Sequence, residues 1–153
     1  MQLVNEMDLK NKTVFLRLDL NVPLQDGRIS DDTRISKALP TLRYILEQTP
    51  KLVIASHLGR PKGVDEKYSL EAVGLRLGAL LQREVLLVHD YFEEPIDQLV
   101  HQLKKDQIIL LENLRFYKEE EPPASEEWIN DAGFRHISYE EAVVMKQGKE
   151  LIK

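Results

Sequence analysis

The sequence predicts an α/β fold, a parallel sheet held between layers of helix. Three observations predict it. Val14-Phe15-Leu16, Leu52-Val53-Ile54-Ala55 and Ile108-Ile109-Leu110-Leu111 are short, β-prone apolar runs with no charge inside them. That is the pattern of parallel strands buried on both faces. The segments between them carry apolar residues at helical spacing, so strand and helix signals alternate, as in βαβ units with right-handed crossovers. Each run also ends in groups that bind anions: Arg17-Leu18-Asp19-Leu20-Asn21, Ser56-His57-Leu58-Gly59-Arg60-Pro61-Lys62-Gly63 and Glu112-Asn113-Leu114-Arg115-Phe116. If the three strands lie side by side, these ends open into one crevice, where open α/β sheets bind ligands.

The elements follow in order. Asn21-Val22-Pro23 leaves the first strand and leads to a polar turn, Gln25-Asp26-Gly27-Arg28. A helix is expected from Asp31 or Asp32, either of which can cap it, to about Gln48, with Ile35, Leu39, Leu42, Ile45 and Leu46 on one side. Pro40 lies inside this window, so the helix either kinks there or begins with Pro40 in its first turn. After the second strand comes the loop Gly59-Arg60-Pro61-Lys62-Gly63. Ser69 is the N-cap expected for the next helix, whose stripe is Leu70, Val73, Leu77, Leu80 and Leu81. Gly74 and Gly78, four apart on it, read as points of close helix-on-sheet packing. Val85-Leu86-Leu87-Val88 is a third strand, Ile96, Leu99, Val100 and Leu103 mark another helix, and Ile108–Leu111 completes the regular part. The acidic, proline-bearing run from Glu119 to Glu127 reads as an exposed loop or linker. Trp128 to Ala132 reads as a last strand and Tyr139 to Met145 as a short helix. The expected architecture is Rossmann-like, three layers α/β/α, in a single domain over residues 1–153.

Composition narrows the function. At 153 residues and 42% hydrophobic, the chain has enough apolar material for one cored domain and too little length for two. A net charge of −5 gives no overall attraction for nucleic acid or an anionic membrane, so any affinity for anions has to be local. No cysteine is present, which excludes disulfide and thiolate chemistry and fits a reducing compartment. Apolar stretches are far too short to span a bilayer, and the N-terminus lacks the pattern of a signal peptide. The chain reads as soluble and cytoplasmic. His89, His101 and His136 have no metal-ligand spacing with Asp or Glu, so no metal site is expected. Neither a dinucleotide fingerprint, a P-loop nor a nucleophile elbow occurs.

The candidate site is therefore a set of anion-binding side chains. Arg17, Arg34, Arg60 and Arg115 carry planar, permanently charged forks that suit carboxylate and phosphate oxygens. His57 can donate to the same groups, more strongly when protonated. Asp19 and Asn21, alternate residues on an extended segment, face one side and can orient a hydroxyl; Asp19 can also fix an arginine in place. Singly, each arginine is most simply a solvated charge or half of an ion pair, and Lys62 a solvated loop lysine. Their coincidence at the same end of successive strands points to a pocket for a small phosphorylated anion.

These segments, in this order, resemble the N-terminal domain of phosphoglycerate kinase. The likeness rests on Arg17-Leu18-Asp19-Leu20-Asn21-Val22-Pro23, Asp31-Asp32-Thr33-Arg34-Ile35 through Thr41, Ser56 to Gly63, Lys67-Tyr68-Ser69-Leu70 and Leu111-Glu112-Asn113-Leu114-Arg115-Phe116. It is close over residues 1–118, and residues 119–153 form a divergent or rearranged tail. In that family the N-terminal domain binds 3-phosphoglycerate, and a separate C-terminal domain binds MgATP or MgADP. The resemblance implies that Asp19, Asn21, His57, Arg60 and Arg115 hold the phosphoglycerate. It gives Arg34 the catalytic role of stabilising the transferring phosphoryl group, and Arg17 a supporting one. Arg135, in the compressed segment Gly133 to Ser138, is a looser candidate for a further substrate arginine. Alternatively Phe134-Arg135-His136-Ile137-Ser138 and Gly148-Lys149-Glu150-Leu151 are similar to the family's extreme C-terminus, spliced on directly. In both alignments the nucleotide-binding domain is missing, so no cofactor is expected in this chain and no activity from it alone. A separate nucleotide-domain chain or self-association through the exposed interface are the partners implied. A non-catalytic scaffold that keeps the fold, and one half of a split enzyme, are the competing readings.

Overall fold

The computed structural model describes residues 3–117, 142–146 and 150–152. Its first strand, β1 (Thr13–Arg17), is followed by a short hairpin, β2 (Leu24–Gln25) and β3 (Arg28–Ile29). The expected polar turn is thus the tip of this hairpin. Asp26 and Gly27 both take positive φ, 52° and 75°, the two-residue turn whose twist matches that of paired strands.

Helix α1 (Thr33–Gln48) runs without a break through Pro40. Pro40 sits mid-helix, so the expectation that it opens the helix from its first turn does not hold. The carbonyl of Ser36, which Pro40 cannot serve, is on an exposed residue, as is Pro40 itself. Capping is divided between the two aspartates. Asp31 Oδ1 accepts from the Thr33 amide at 2.9 Å, whereas Asp32, the residue at the N-cap, makes no side-chain cap. Its carboxylate takes Nε and Nη2 of Arg76 instead, at 3.0 and 2.6 Å.

Then come β4 (Leu52–Ala55), α2 (Glu71–Leu81), β5 (Glu84–Val88), α3 (Ile96–Gln102) and β6 (Gln107–Leu111). The N-cap of α2 is Leu70, one residue later than expected. Ser69 still serves the helix start, its Oγ accepting from the Glu71 amide at 3.2 Å while donating to Glu112 Oε2 at 2.7 Å. Gly74 and Gly78 lie against the sheet as expected. A Cβ at Gly74 would meet Leu110 Cδ2 at 3.3 Å, and one at Gly78 the Arg83 carbonyl at 2.8 Å.

The sheet order is β5-β6-β4-β1-β7-β8, with β7 at Ala142–Lys146 and β8 at Glu150–Ile152. The first four strands are parallel, with Phe15 beside Val53 and Val53 beside Ile109. The last two extend the sheet antiparallel, Leu16 facing Ala142 and Thr13 facing Met145. The short helix expected over Tyr139 to Met145 is therefore wrong where it can be judged. Without a neighbour on that side, β1 would present a row of unpaired backbone groups, and Ala142-Val143-Val144-Met145 pairs with it. The expected strand at 128–132 and the acidic loop at 119–127 lie outside the described residues.

Strand alternation divides the core between the two faces. Val14, Leu16, Leu52, Ile54, Ile108 and Leu110 point to one side, where Ile35, Leu42 and Ile45 of α1 and Val73 and Leu77 of α2 cover them. Phe15, Val53, Ala55, Ile109 and Leu111 point to the other, against Val100 of α3. Each fully buried Leu or Ile is worth roughly 1.5–3 kcal/mol, so this two-sided burial holds β4 and β6 rigidly. Their carboxyl ends are correspondingly well placed to carry a site.

Candidate functional site

Strand order is what assembles the site. β6, β4 and β1 are adjacent and parallel, so the segments after Leu111, Ala55 and Arg17 emerge along one edge of the sheet. The three anion-binding segments that are scattered in sequence become neighbours, as the crevice expectation requires.

One hydrogen-bonded path crosses that edge. Arg34, in the first turn of α1, donates through Nη1 to Asp19 Oδ1 and to the Asn21 carbonyl, both at 2.9 Å. Asn21 Oδ1 accepts from the Gly59 amide at 2.9 Å. The Gly59 carbonyl in turn accepts from Arg115 Nη1 at 2.9 Å. Asp19 also receives the Asn21 amide at 3.2 Å, which folds the segment after β1 into a compact turn. Asp19 thus does fix an arginine in place. Gly59 is required by two constraints at once: its φ is +61°, and a Cβ there would lie 2.5 Å from the Tyr68 ring.

Asp19, Asn21, Arg34, Gly59 and Arg115 are therefore one connected unit, in which the guanidinium groups of Arg34 and Arg115 are exposed. Arg60 follows Gly59 directly and is exposed, and His57, half-buried, precedes it in the same loop. Arg17 closes β1, half-buried, behind them. Arg135 lies outside the described residues. Chemically, the edge offers planar cationic forks, an imidazole and one carboxylate. It can grip carboxylate and phosphate oxygens and orient a hydroxyl, and it presents no nucleophile paired with a base.

A cleft of about 760 Å³ adjoins this edge. It lies between the β2–β3 hairpin and residues 66–72, and Asn21, Leu58 and Gly59 form the wall that it shares with the arginine row. Its other charged residues are Asp26, Glu66, Glu71 and Lys67, so it is mainly acidic. The cleft is thus less suited to an anion than the arginine side of Gly59. Among the described residues no group of three His, Cys, Asp or Glu side chains could hold a metal ion. None of their helices is long and apolar enough to cross a membrane.

Three polar residues that sequence reasoning left without a role brace these segments. Ser56, fully buried, accepts the Leu20 amide on its Oγ at 3.0 Å and so ties the β4 loop to the β1 loop. Glu112, 3% exposed, accepts from Ser69 Oγ, the Leu70 amide and the Asn113 amide at 2.7–2.8 Å, and His89 Nδ1 stands 3.7 Å away. Asn113, fully buried, bonds Leu58, Tyr68 and Arg115. The available signal was position. A polar residue directly after an apolar strand run is carried into the interior, and buried polar groups need partners.

Comparison with known proteins gives the family. The profile of the phosphoglycerate kinase family matches residues 4–142. The cytosolic phosphoglycerate kinase of Triticum aestivum is 51% identical over 119 residues, which cover 77% of this chain and 30% of that protein. The phosphoglycerate kinase of Pyrococcus horikoshii superposes with a TM-score of 0.74 at 37% identity, covering 86% of this chain and 32% of that one. The enzyme of Coxiella burnetii does so with a TM-score of 0.65 at 38% identity, covering 75% and 28%. The chain spans about 30% of the length of the curated relatives it matches. With a family profile that matches most of its length and relatives about half identical to it, the chain belongs to the phosphoglycerate kinase family.

Proposed function

We propose that these 153 residues bind 3-phosphoglycerate, or a closely similar phosphorylated carboxylate, and transfer no phosphoryl group by themselves. The observation that supports this most is the hydrogen-bonded path Arg34–Asn21–Gly59–Arg115 along one sheet edge. It ties two cationic forks, Arg34 and Arg115, to one sheet edge, which suits a ligand that carries both a carboxylate and a phosphate. Arg60, Arg115 and His57 take the anionic groups, and Asp19 and Asn21 orient the hydroxyl. Arg34 stabilises the transferring phosphoryl group, and Asp19 sets its direction. Arg17 supports the edge from within β1, and Arg135 is a further substrate candidate.

Phosphoryl transfer is almost entirely positioning plus electrostatic stabilisation by metal and cationic groups. Positioning alone is worth roughly 7–11 kcal/mol. The groups gathered here serve the acceptor substrate, and MgATP or MgADP needs a nucleotide domain supplied beyond these residues. The reading places the protein in the cytoplasm, in keeping with the cytosolic relatives. Its partners are a small phosphorylated carboxylate and a nucleotide domain, with no nucleic acid and no membrane.

The test is an NMR titration of the labelled chain with 3-phosphoglycerate, inorganic phosphate and MgATP. Selective shifts at Arg34, His57, Arg60 and Arg115, stronger with 3-phosphoglycerate than with phosphate and absent with MgATP, are the expected result. An equal response to phosphate and phosphoglycerate would sink the reading, and so would turnover of ATP by the chain alone.

A further inference from the structure

We infer that Asn113 is a positioning residue for the anion site, a buried amide that sets the β4 loop against the β6 loop and so fixes where Arg115 stands. This deepens the 3-phosphoglycerate reading and rests on it. Asn113 is fully buried. Its Oδ1 accepts from the Leu58 amide at 3.1 Å and the Arg115 amide at 3.0 Å. Its Nδ2 donates to the Leu58 carbonyl at 2.7 Å and the Tyr68 carbonyl at 2.9 Å. A carboxamide has two N–H donors and one oxygen with two lone pairs, so the whole capacity of the side chain is used.

The partners make this more than a satisfied core polar group. Leu58 is bonded through both its N–H and its carbonyl, and the next residue, Gly59, supplies the acceptor for Arg115 Nη1 and the donor for Asn21 Oδ1. Tyr68, held by its carbonyl, packs its ring over Gly59. The Arg115 amide is the root of the guanidinium that reaches back to Gly59. Asn113 therefore holds both ends of the Arg115–Gly59 bond without being part of it. Substitution by Asp would turn two donations into oxygen–oxygen contacts at 2.7 and 2.9 Å. Serine is too short to reach all four partners. Either change leaves buried backbone groups seeking new partners, which moves the loops. Its neighbour Glu112 is also buried and accepts the Asn113 amide, but its carboxylate otherwise braces Ser69 and Leu70 at the start of α2 and reaches neither Leu58 nor Arg115, so it serves as the contrast.

The experiment compares the parent chain with Asn113→Ser and Glu112→Gln by thermal melting, by hydrogen exchange at Leu58 and at the Arg115 guanidinium, and by 3-phosphoglycerate titration. Both variants are expected to melt earlier. Only Asn113→Ser is expected to expose Leu58 and Arg115 to fast exchange, to weaken 3-phosphoglycerate on the order of tenfold or more, and to lose preference for it over inorganic phosphate. An Asn113→Ser chain with unchanged Arg115 exchange and unchanged affinity overturns the inference, and so does an equal affinity loss in Glu112→Gln. A parent that takes no 3-phosphoglycerate overturns the proposed function instead, and the exchange at Arg115 still decides the positioning role. If Asn113→Ser does not fold, the parent decides. Slowly exchanging Asn113 Nδ2 protons that shift with bound 3-phosphoglycerate or phosphate support the inference, and fast-exchanging ones refute it.

Discussion

Asp31 shows how a single exposed side chain reports on local structure. Its carboxylate accepts the Thr33 hydroxyl at 2.5 Å and the Thr33 amide at 2.9 Å. The hydroxyl first and the amide second hold its pKa below the ordinary aspartate value. With the folded pKa depressed, the contribution to stability is fully present above the unfolded value near ~3.9 and is lost as pH falls through the folded one. Thr33→Val keeps the amide and removes the hydroxyl. The midpoint of Asp31, followed by its carboxyl carbon shift, should rise towards the ordinary value without reaching it. A midpoint that does not move would show that the amide alone sets it. The other aspartate at this helix start could not be assigned from sequence. Asp31 and Asp32 are equivalent as cap candidates until Arg76, remote in the chain, engages Asp32.

At the scale of elements, α2 illustrates why spacing alone cannot grade two glycines. Gly74 and Gly78 sit one turn apart on the same face, yet they meet different neighbours. A methyl at position 74 presses on the tip of Leu110 at 3.3 Å, a side-chain end that can give by a few tenths of an ångström. At position 78 it strikes the Arg83 carbonyl at 2.8 Å, backbone that leads directly into β5. Glycine to alanine gains about 1 kcal/mol of helix propensity, whereas overpacking costs typically ~1–3 kcal/mol. Gly74→Ala should therefore be within about 1 kcal/mol of the parent. Gly78→Ala, against backbone that cannot give, belongs at the upper end of the overpacking cost and should be destabilised by up to about 2 kcal/mol net. Urea midpoints of the two variants check this, and equal midpoints would contradict it. The strand β7 carries the complementary lesson. Tyr139 to Met145 reads as a helix in isolation, and its Ala142–Met145 part becomes strand because β1 offers an edge to pair with.

For the molecule as a whole, the relevant contrast is between a net charge of −5 and a sheet edge rich in arginine. Under the proposed function, ligand capture depends on local field rather than overall attraction, and the Arg34–Asp19 pair is about half exposed on both sides. Pairs of that kind are worth roughly 0–1 kcal/mol and are screened within a Debye length of about 8 Å at physiological ionic strength. The affinity for 3-phosphoglycerate should accordingly fall severalfold between low salt and about 0.5 M salt, while the melting temperature changes little. Calorimetric titration at the two salt levels tests this, and a salt-independent affinity would place the ligand in a dry pocket away from the arginine row.

The α/β alternation, the four parallel strands, and the segments that carry Arg17, Asp19, Asn21, Arg34, His57, Arg60 and Arg115 are legible in the chain alone. Those features follow from local rules: apolar runs too short for helices, helical spacing between them, and charged groups where the runs stop. That Asp19 grips Arg34, that Gly59 links Asn21 to Arg115, and that Ser56, Glu112 and Asn113 carry the loops became visible in the folded chain. These contacts join residues up to 56 positions apart. Local propensity carries no information about which distant partner a buried polar group will find. Strand order supplies it by bringing β1, β4 and β6 side by side.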